Sequence, residues 1–536
     1  MKDHSFIRSA GTVSAAVAVS RVTGMLREMI MARLFGAGEV YDAFLLGMRI
    51  PSLARNLFAE GALSAAFVPI FSQYLKTRGK GDAQRLSDLV ATALIVVVGA
   101  VCAAGMFFAP ELVRLMAPGF EQLPGKFELA VLLTRIMFPF LVLIALAAQA
   151  MGLLNACDRY GVPAAASIFF NVGSVIVGVA LARIVSGSAI VCMSVGVLAG
   201  GALQLAIQLP AVRREGFRYH PRIDLHDPGL RRISTLMLPA FIGSAALQIN
   251  TIVSTNFASR LTDSAGNILN GPVSWLSYAF RFLQLPLGVF GVAIASATLP
   301  RIARSAAVLR LDEFRATLSN SIGTALLFTI PSSVGLAILG KSMIAVIYQG
   351  GRFQPSDTRE TAAALTCYSV GLAGYALTKL LAPAFYALDD ARTPMLVSIG
   401  SVAVNLGISV VLVEWAGMGH EGLALSIALV ALFSAAALFE LLRRRVGGLD
   451  TRQIAGSALR VALASTVMGV VCWAAQRGLR LHDAANLALG IPVGIGVFYT
   501  TARALGVPEL EAVRTACYTF FSNAPRPELG DPPARH

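Results

Sequence analysis

Long apolar runs separated by short polar breaks recur from one end of this chain to the other. A helix that crosses a bilayer needs about 20 predominantly apolar residues, because hydrocarbon offers no water to an exposed backbone. Fourteen runs qualify, centred near residues 22, 56, 98, 142, 174, 200, 246, 288, 329, 373, 405, 431, 466 and 494. The pattern predicts an all-α polytopic membrane protein with fourteen transmembrane helices.

Composition agrees. Of 536 residues, 56% are hydrophobic and only 14% are charged, where a soluble chain carries roughly 25% charged residues. The formal net charge of +14 invites a nucleic-acid reading, but the distribution of the charge argues against it. Basic residues cluster in alternate loops: Lys76, Arg78, Lys80 and Arg85; then Arg213, Arg214, Arg218, Arg222, Arg231 and Arg232; then Arg301, Arg304, Arg310 and Arg315; then Arg443, Arg444, Arg445 and Arg452. The loops between these hold fewer, such as Arg352 in one and Arg477 and Arg480 in another. That alternation follows the positive-inside rule and predicts both termini in the cytoplasm, with no nucleic-acid partner. Lys2 and Arg8 precede the first apolar run, but Arg21 interrupts it, so an uncleaved first span is expected rather than a signal peptide.

Sliding the sequence along itself gives a shared offset of 231 residues. Pro69 falls on Pro300 and Gly119 on Gly350; Ala156, Asp158, Pro163, Ser167 and Ile168 fall on Ala387, Asp389, Pro394, Ser398 and Ile399. The expected organisation is two pseudo-symmetric six-helix lobes, residues 1–220 and 221–448, followed by helices 13–14 in 449–505 and a cytoplasmic tail in 506–536. Six spans per lobe is an even number, so the lobes enter the membrane in the same direction, as in parallel-repeat transporters. Such transporters place their sites near the midplane between repeats, which draws attention to charges inside the spans.

An arginine at a helix centre costs about 2.5–3.5 kcal/mol on insertion scales, so it signals function. The stretch "SRVTGMLREMIMAR" holds Arg21, Arg27, Glu28 and Arg33 in the first span. Arg21 and Arg27 point about 120° apart on an ideal helix, while Glu28 returns to nearly the face of Arg21 and Ser20 to that of Arg27. An Arg21–Glu28 pair is expected, leaving Arg27 for another partner, and Arg33 reads as an interfacial residue whose stem snorkels. The second span, "YDAFLLGMRIPSLARNLFAEGALSAAF", adds Asp42, Arg49, Arg55 and Glu60 around Pro51, and the eighth adds Arg281 before Pro286. Arginines outnumber acids in this set. Guanidinium groups grip phosphate oxygens in bidentate fashion and stay charged, so the set suits an anionic headgroup.

Other motifs carry less. "GLAILGKS" matches a phosphate-binding loop in letters, but Leu-Ala-Ile-Leu within an apolar run lacks the strand–loop–helix context. His220, Asp224, His226 and Asp227 sit in a basic loop without metal-ligand spacing. The six cysteines are scattered, and neither a zinc site, a catalytic nucleophile–base pair nor any cofactor is expected.

From "SRVTGMLREMIMARLFGAGEVYDAFLLGMRIPSLARNLFAEGALSAAFVPIFSQYL" through "MAPGF", "LLNACDRYGVP", "VSWLSYAFRFLQLPLGVFGVA" and "LAPAFYALDDARTP", the chain resembles the MurJ (MviN) family of lipid II flippases. That family belongs to the multidrug/oligosaccharidyl-lipid/polysaccharide exporter superfamily. The resemblance covers about 90% of the chain. It implies two six-helix lobes, a groove for the undecaprenyl tail at helices 13–14, and alternating access through a cationic central cavity. It also implies transport of lipid II from the cytoplasmic to the periplasmic leaflet of the bacterial inner membrane, for peptidoglycan synthesis and in company with its machinery. By resemblance the cavity arginines are Arg21, Arg27, Arg55 and Arg281 and the acids Asp42 and Glu60, with Arg49 where relatives carry lysine and Glu28 where they carry aspartate. Phe280 and Gln284 replace acids that flank Arg281 in some relatives. The seventh-span region "LQINTIVSTNFAS" offers Ser254 and no carboxylate, which points to the membrane potential rather than sodium as the energy source. Membrane lipids are further partners, no enzymatic activity is expected, and the alternative is an exporter of another lipid-linked oligosaccharide or polysaccharide.

Overall fold

In the computed structural model, residues 2–58, 63–185, 187–224, 226–308, 310–479, 482–511, 513 and 514 are described. Their side chains are described from residue 16 onward except at 50, 53–58, 64, 65, 238–247 and 479. The helices in chain order are α1 (Lys2–Phe35), α2 (Glu39–Phe58), α3 (Ser64–Thr77), α4 (Lys80–Phe107), α5 (Ala109–Met116), α6 (Lys126–Met137) and α7 (Phe140–Ala156). Next come α8 (Gly161–Ile184), α9 (Ala189–Ala206), α10 (Leu209–Arg214), α11 (Pro228–Ser259), α12 (Pro272–Pro286), α13 (Val292–Ala307) and α14 (Leu311–Tyr348). The chain ends with α15 (Pro355–Ser369), α16 (Leu372–Tyr386), α17 (Arg392–Ser409), α18 (His420–Arg445), α19 (Thr451–Leu479) and α20 (Asp483–Ala504). Among the described residues there are only isolated β-bridges, so the fold is all-α.

Ten helical segments are long and apolar enough to cross a membrane, and α15 with α16, bent by 46°, makes an eleventh if taken as one span. The stretches centred near residues 22, 56 and 246 are also helical, in α1, α2 and α11, but lie outside that set. The described count is therefore ten or eleven rather than the expected fourteen. Pro286 ends α12, and a π-helical turn, Leu287–Gly291, follows it before α13. A proline lacks the N–H that would continue the ladder, and the wider turn absorbs the break.

The chain forms two compact units: Met1–Phe280 with Ile344–Ala364 and Ser398–Ile427, and Arg281–Met343 with Leu365–Val397 and Ala428–His536. In the first, Phe67, Phe71, Phe120 and Phe140 are fully buried among α3, α6 and α7. In the second, Phe314, Leu318, Leu381, Phe385 and Leu442 form a core that joins α14, α16 and α18. Val507, just past α20, packs with Val461 and Ala464 of α19, so the chain stays docked beyond the last span.

The 231-residue offset has a structural counterpart at one corner of each unit. Asp158 after α7 and Asp389 after α16 are the two non-glycine residues with positive φ among the described residues, at 60° and 54°. Both close a Schellman cap: Arg159 N–H donates to the Leu154 carbonyl at 2.9 Å, and Asp390 N–H to the Phe385 carbonyl at 3.0 Å. The next residue then anchors the end of the sixth predicted span of its half, with the signs of charge exchanged. Arg159 pairs with Glu215 at 2.8 Å, and Asp390 with Arg445 at 3.0 Å. The Thr393 amide and hydroxyl, with Arg445 beside them, hold the Asp390 carboxyl below the usual carboxylate range.

Gly119 sits in the turn Pro118–Gln122, where a Cβ would lie 1.8 Å from the Ser259 carbonyl oxygen, whereas one at Gly99 would meet nothing within 4 Å. Overpacking against backbone costs about 1–3 kcal/mol or more. Gly119→Ala is expected to lower the melting temperature of the detergent-solubilised protein by several degrees, with Gly99→Ala unchanged. Equal melting of the two variants would contradict the close approach.

Candidate functional site

The charged stretch of α1 packs against α8 through a small polar contact. The Ser20 carbonyl accepts hydrogen bonds from the Thr23 hydroxyl at 3.0 Å and from Asn171 Nδ2 at 3.1 Å. Gly24 faces this contact, where a Cβ would lie 3.4 Å from Asn171 Nδ2, an ordinary van der Waals distance. One turn on, the Arg27 guanidinium stands 5.3 Å from the centre of the Phe170 ring and 3.7 Å from Glu28 Oε1. Its side chain is 21% exposed. A cation over an aromatic face gains about 0.5–1 kcal/mol. Arg21 is exposed on the same helix. The expected Arg21–Glu28 pair is not formed: seven residues of helix rise about 10.5 Å, and Glu28 lies beside Arg27 instead.

On α2, Arg49 donates to the hydroxyl of Thr255 on α11, which in turn donates to the Thr251 carbonyl. The side chain of Arg55, and Glu60 altogether, lie outside the described residues. Asp42 has no exposed surface. Its Oδ2 accepts from Lys126 Nζ at 3.0 Å and from the Gly271 amide at 2.8 Å; its Oδ1 accepts from the Ser274 amide at 2.9 Å and the Ser274 hydroxyl. The carboxylate thereby caps the N-terminus of α12 from another helix, where the orphan amides and the helix dipole favour an anion. Lys126, also fully buried, gives a second bond to Asn270 Oδ1 at 2.8 Å and lies 4.2 Å from the centre of the Phe120 ring. In this arrangement Asp42 is a clamp with no surface left for a ligand.

The clamp is part of a larger junction at one end of the first unit. Tyr41 stacks on Tyr278, which touches Tyr348 and Phe353. The turn after α1 interlocks with the turn after α14. Arg352 N–H donates to the Arg33 carbonyl at 2.9 Å, and a Cβ on Gly36 or Gly351 would collide with the opposite backbone at 2.5 or 2.2 Å. Arg33 thus contributes backbone here. Trp275 donates from Nε1 to Asp357 at 3.1 Å and packs on His420. Beside it, Glu360, His420 and Glu421 place ligand-capable atoms within 4.8 Å of one another.

Arg281, in the second unit, is exposed and donates to Gln284 Oε1 at 3.3 Å. Around Ser254 neutral side chains bond to one another, and Arg49 reaches the neighbouring Thr255. Ser254 donates to the Asn250 carbonyl, Asn250 to Ser401, and Ser426 to Asn405. The rejected motifs resolve into structure: Gly335 to Ser342 lie inside α14, Asp224 pairs with Arg85 at 2.8 Å, and Asp227 caps α11. Lys126, Asn171, Phe170 and Thr255 were not singled out by the sequence. Lys126 had one signal, a lone cation in the apolar segment "LPGKFELA".

Comparison with known proteins follows from this geometry. A family model described as lipid II flippase MurJ matches residues 31–486. The chain is 34% identical over 478 residues to a probable lipid II flippase MurJ of Vibrio cholerae, covering 87% of this chain and 89% of that protein. It is 34% identical over 445 residues to a lipid II flippase MurJ of Burkholderia cenocepacia, covering 82% and 84% respectively. Its structure is similar to that of a lipid II flippase MurJ in an inward closed conformation, with a TM-score of 0.77 at 25% identity over 91% of this chain and 97% of the other. A multidrug transporter of the MATE family in an inward-facing conformation shares the fold, with a TM-score of 0.65 at 14% identity over 81% and 94% of the two chains.

Removing one partner of a buried ion pair costs about 3–5 kcal/mol, whereas replacing both with neutral groups costs far less. Lys126→Met is therefore expected to lower the melting temperature sharply, and Asp42→Asn combined with Lys126→Met to regain much of the loss. A single variant as stable as the parent would contradict the clamp.

Proposed function

The chain belongs to the lipid II flippase MurJ family, and from that premise we propose how it works. It flips lipid II, the undecaprenyl-diphosphate-linked peptidoglycan precursor, from the cytoplasmic to the periplasmic leaflet by alternating access. It is a transporter of many spans in a bacterial membrane, here the inner membrane with both termini in the cytoplasm, and it catalyses no bond change. Arg21, Arg27, Arg55 and Arg281 are assigned to receive the diphosphate, with Ser20, Glu28, Arg49 and Glu60 as further substrate-binding residues.

The observation that carries this reading is Arg27. Its guanidinium lies over an aromatic face with Glu28 at its side, and the side chain is 21% exposed. An arginine inside an apolar run is costly and signals function, and a diphosphate supplies two acidic phosphates to a planar fork. The junction around Asp42 and Lys126 serves as the periplasmic gate, and Asp42 works in the gate when the path faces the cytoplasm. The membrane potential drives the cycle: one charge crossing 100 mV is worth about 2.3 kcal/mol. The neutral Asn250–Ser254–Asn405 region supports that energy source over sodium. The delivered lipid II passes to the peptidoglycan-synthesis machinery.

Arg27→Ala, as sole copy in a strain depleted of its own flippase, is expected to reach the membrane at normal levels and fail to sustain growth. Arg27→Lys keeps the charge without the fork and is expected to grow poorly. Full growth with the alanine variant would refute the assignment of Arg27.

A further inference from the structure

A cavity of about 710 Å³ opens in the first unit between α4, α7 and the segment around α10, away from α1 and α2. Its wall is amphipathic. It includes Ile95 and Leu209, 37% and 40% exposed, and Ile95 adjoins the exposed Val96 and Val97 of α4, a surface suited to acyl chains. It also includes Arg213, Arg218 and His220, all exposed, and neither arginine forms an ion pair among the described residues. The other polar lining residues are Gln84, Ser87, Asp88, Gln149 and Tyr219, and the Gln149 amide is committed to Ser87.

Residues 218–220 are held by backbone bonds, and the His220 ring also lies 3.7 Å from Asp88 Oδ2, which leaves Arg213 and Arg218 as the basic side chains without an ion pair among the described residues. Gln84 exchanges two hydrogen bonds with the backbone of Arg218, at 2.6 and 3.1 Å. Asp88, fully buried, accepts from the His220 amide at 3.1 Å. These bonds hold residues 218–220 over the opening whatever the Arg218 guanidinium does. Drug-sized sites of roughly 300–1,000 Å³ typically combine a largely apolar lining with a few polar groups.

We propose that this cavity binds a phospholipid of the cytoplasmic leaflet with a net anionic headgroup, one acyl chain entering past Ile95 and Leu209 and the phosphate resting on Arg213 and Arg218. The cytoplasmic placement rests on the orientation given above. The site is separate from the path assigned to lipid II. Basic residues at a membrane surface contribute about a fivefold factor each toward anionic lipid, so two arginines predict a preference of roughly 25-fold.

The test is native mass spectrometry of the purified full chain with phosphatidylglycerol or phosphatidylethanolamine at matched concentrations, without lipid II. Phosphatidylglycerol is expected to bind roughly 25-fold more tightly. Arg213→Ala with Arg218→Ala is expected to reduce it to the level of phosphatidylethanolamine without altering melting, and Ala150→Phe, which adds bulk to the lining, to weaken both lipids. Equal binding of the two lipids, or retention of the preference in the double arginine variant, would overturn the site. Either result would leave the flippase assignment standing, because no transport is measured.

Discussion

A charged side chain packed among apolar helices must be satisfied by something other than bulk water, and this chain meets that constraint in two different ways. At Asp42 the satisfaction is internal and complete: Lys126, two amides and a hydroxyl fill both carboxylate oxygens, and nothing is exposed. At Arg27 an aromatic face and the adjacent Glu28 carboxylate support the guanidinium, and 21% of the side chain's surface is exposed. The first arrangement joins segments far apart in sequence, and the second joins one helix to its neighbour.

The close backbone contacts serve the same end. Gly36 and Gly351 let two turns meet with no side chain between them, and the Tyr41, Tyr278, Tyr348 and Phe353 rings fill the space beside the clamp. A junction built from carbonyls, one buried ion pair and stacked rings has few partial states. It either fits or separates, as a gate should. The corner that repeats in the two units makes a related point. Arg159–Glu215 and Asp390–Arg445 exchange their signs while the caps that present them match bond for bond. What the repeat retains there is a cross-link of opposite charges, and the direction of the charges is free.

Much of this was legible in the sequence because bilayer physics leaves few options. Apolar runs near residues 98, 174 or 431 had to be helices, and they are α4, α8 and α18. The offset of 231 placed Asp158 on Asp389, and the shared left-handed turn explains why an aspartate, which tolerates that conformation, stands at both. The span count differs only at the stretches near residues 22, 56 and 246, which are helical in α1, α2 and α11 but fall outside the set of described residues that pass on length and hydropathy. Helical phase suggested an Arg21–Glu28 pair, but phase ignores rise, and the nearer Arg27 took the acid. Phase also could not reveal Lys126 as the partner of Asp42, because the pairing joins two helices through tertiary packing and leaves no periodic trace in either.

The account stands on movement of one lipid between leaflets, and the most direct measurement is the location of lipid II in cells depleted of this protein. Depletion is predicted to trap lipid II in the cytoplasmic leaflet, inaccessible to a periplasmic probe, with total lipid II rising. Continued exposure of lipid II at the periplasmic face at the normal rate would contradict it.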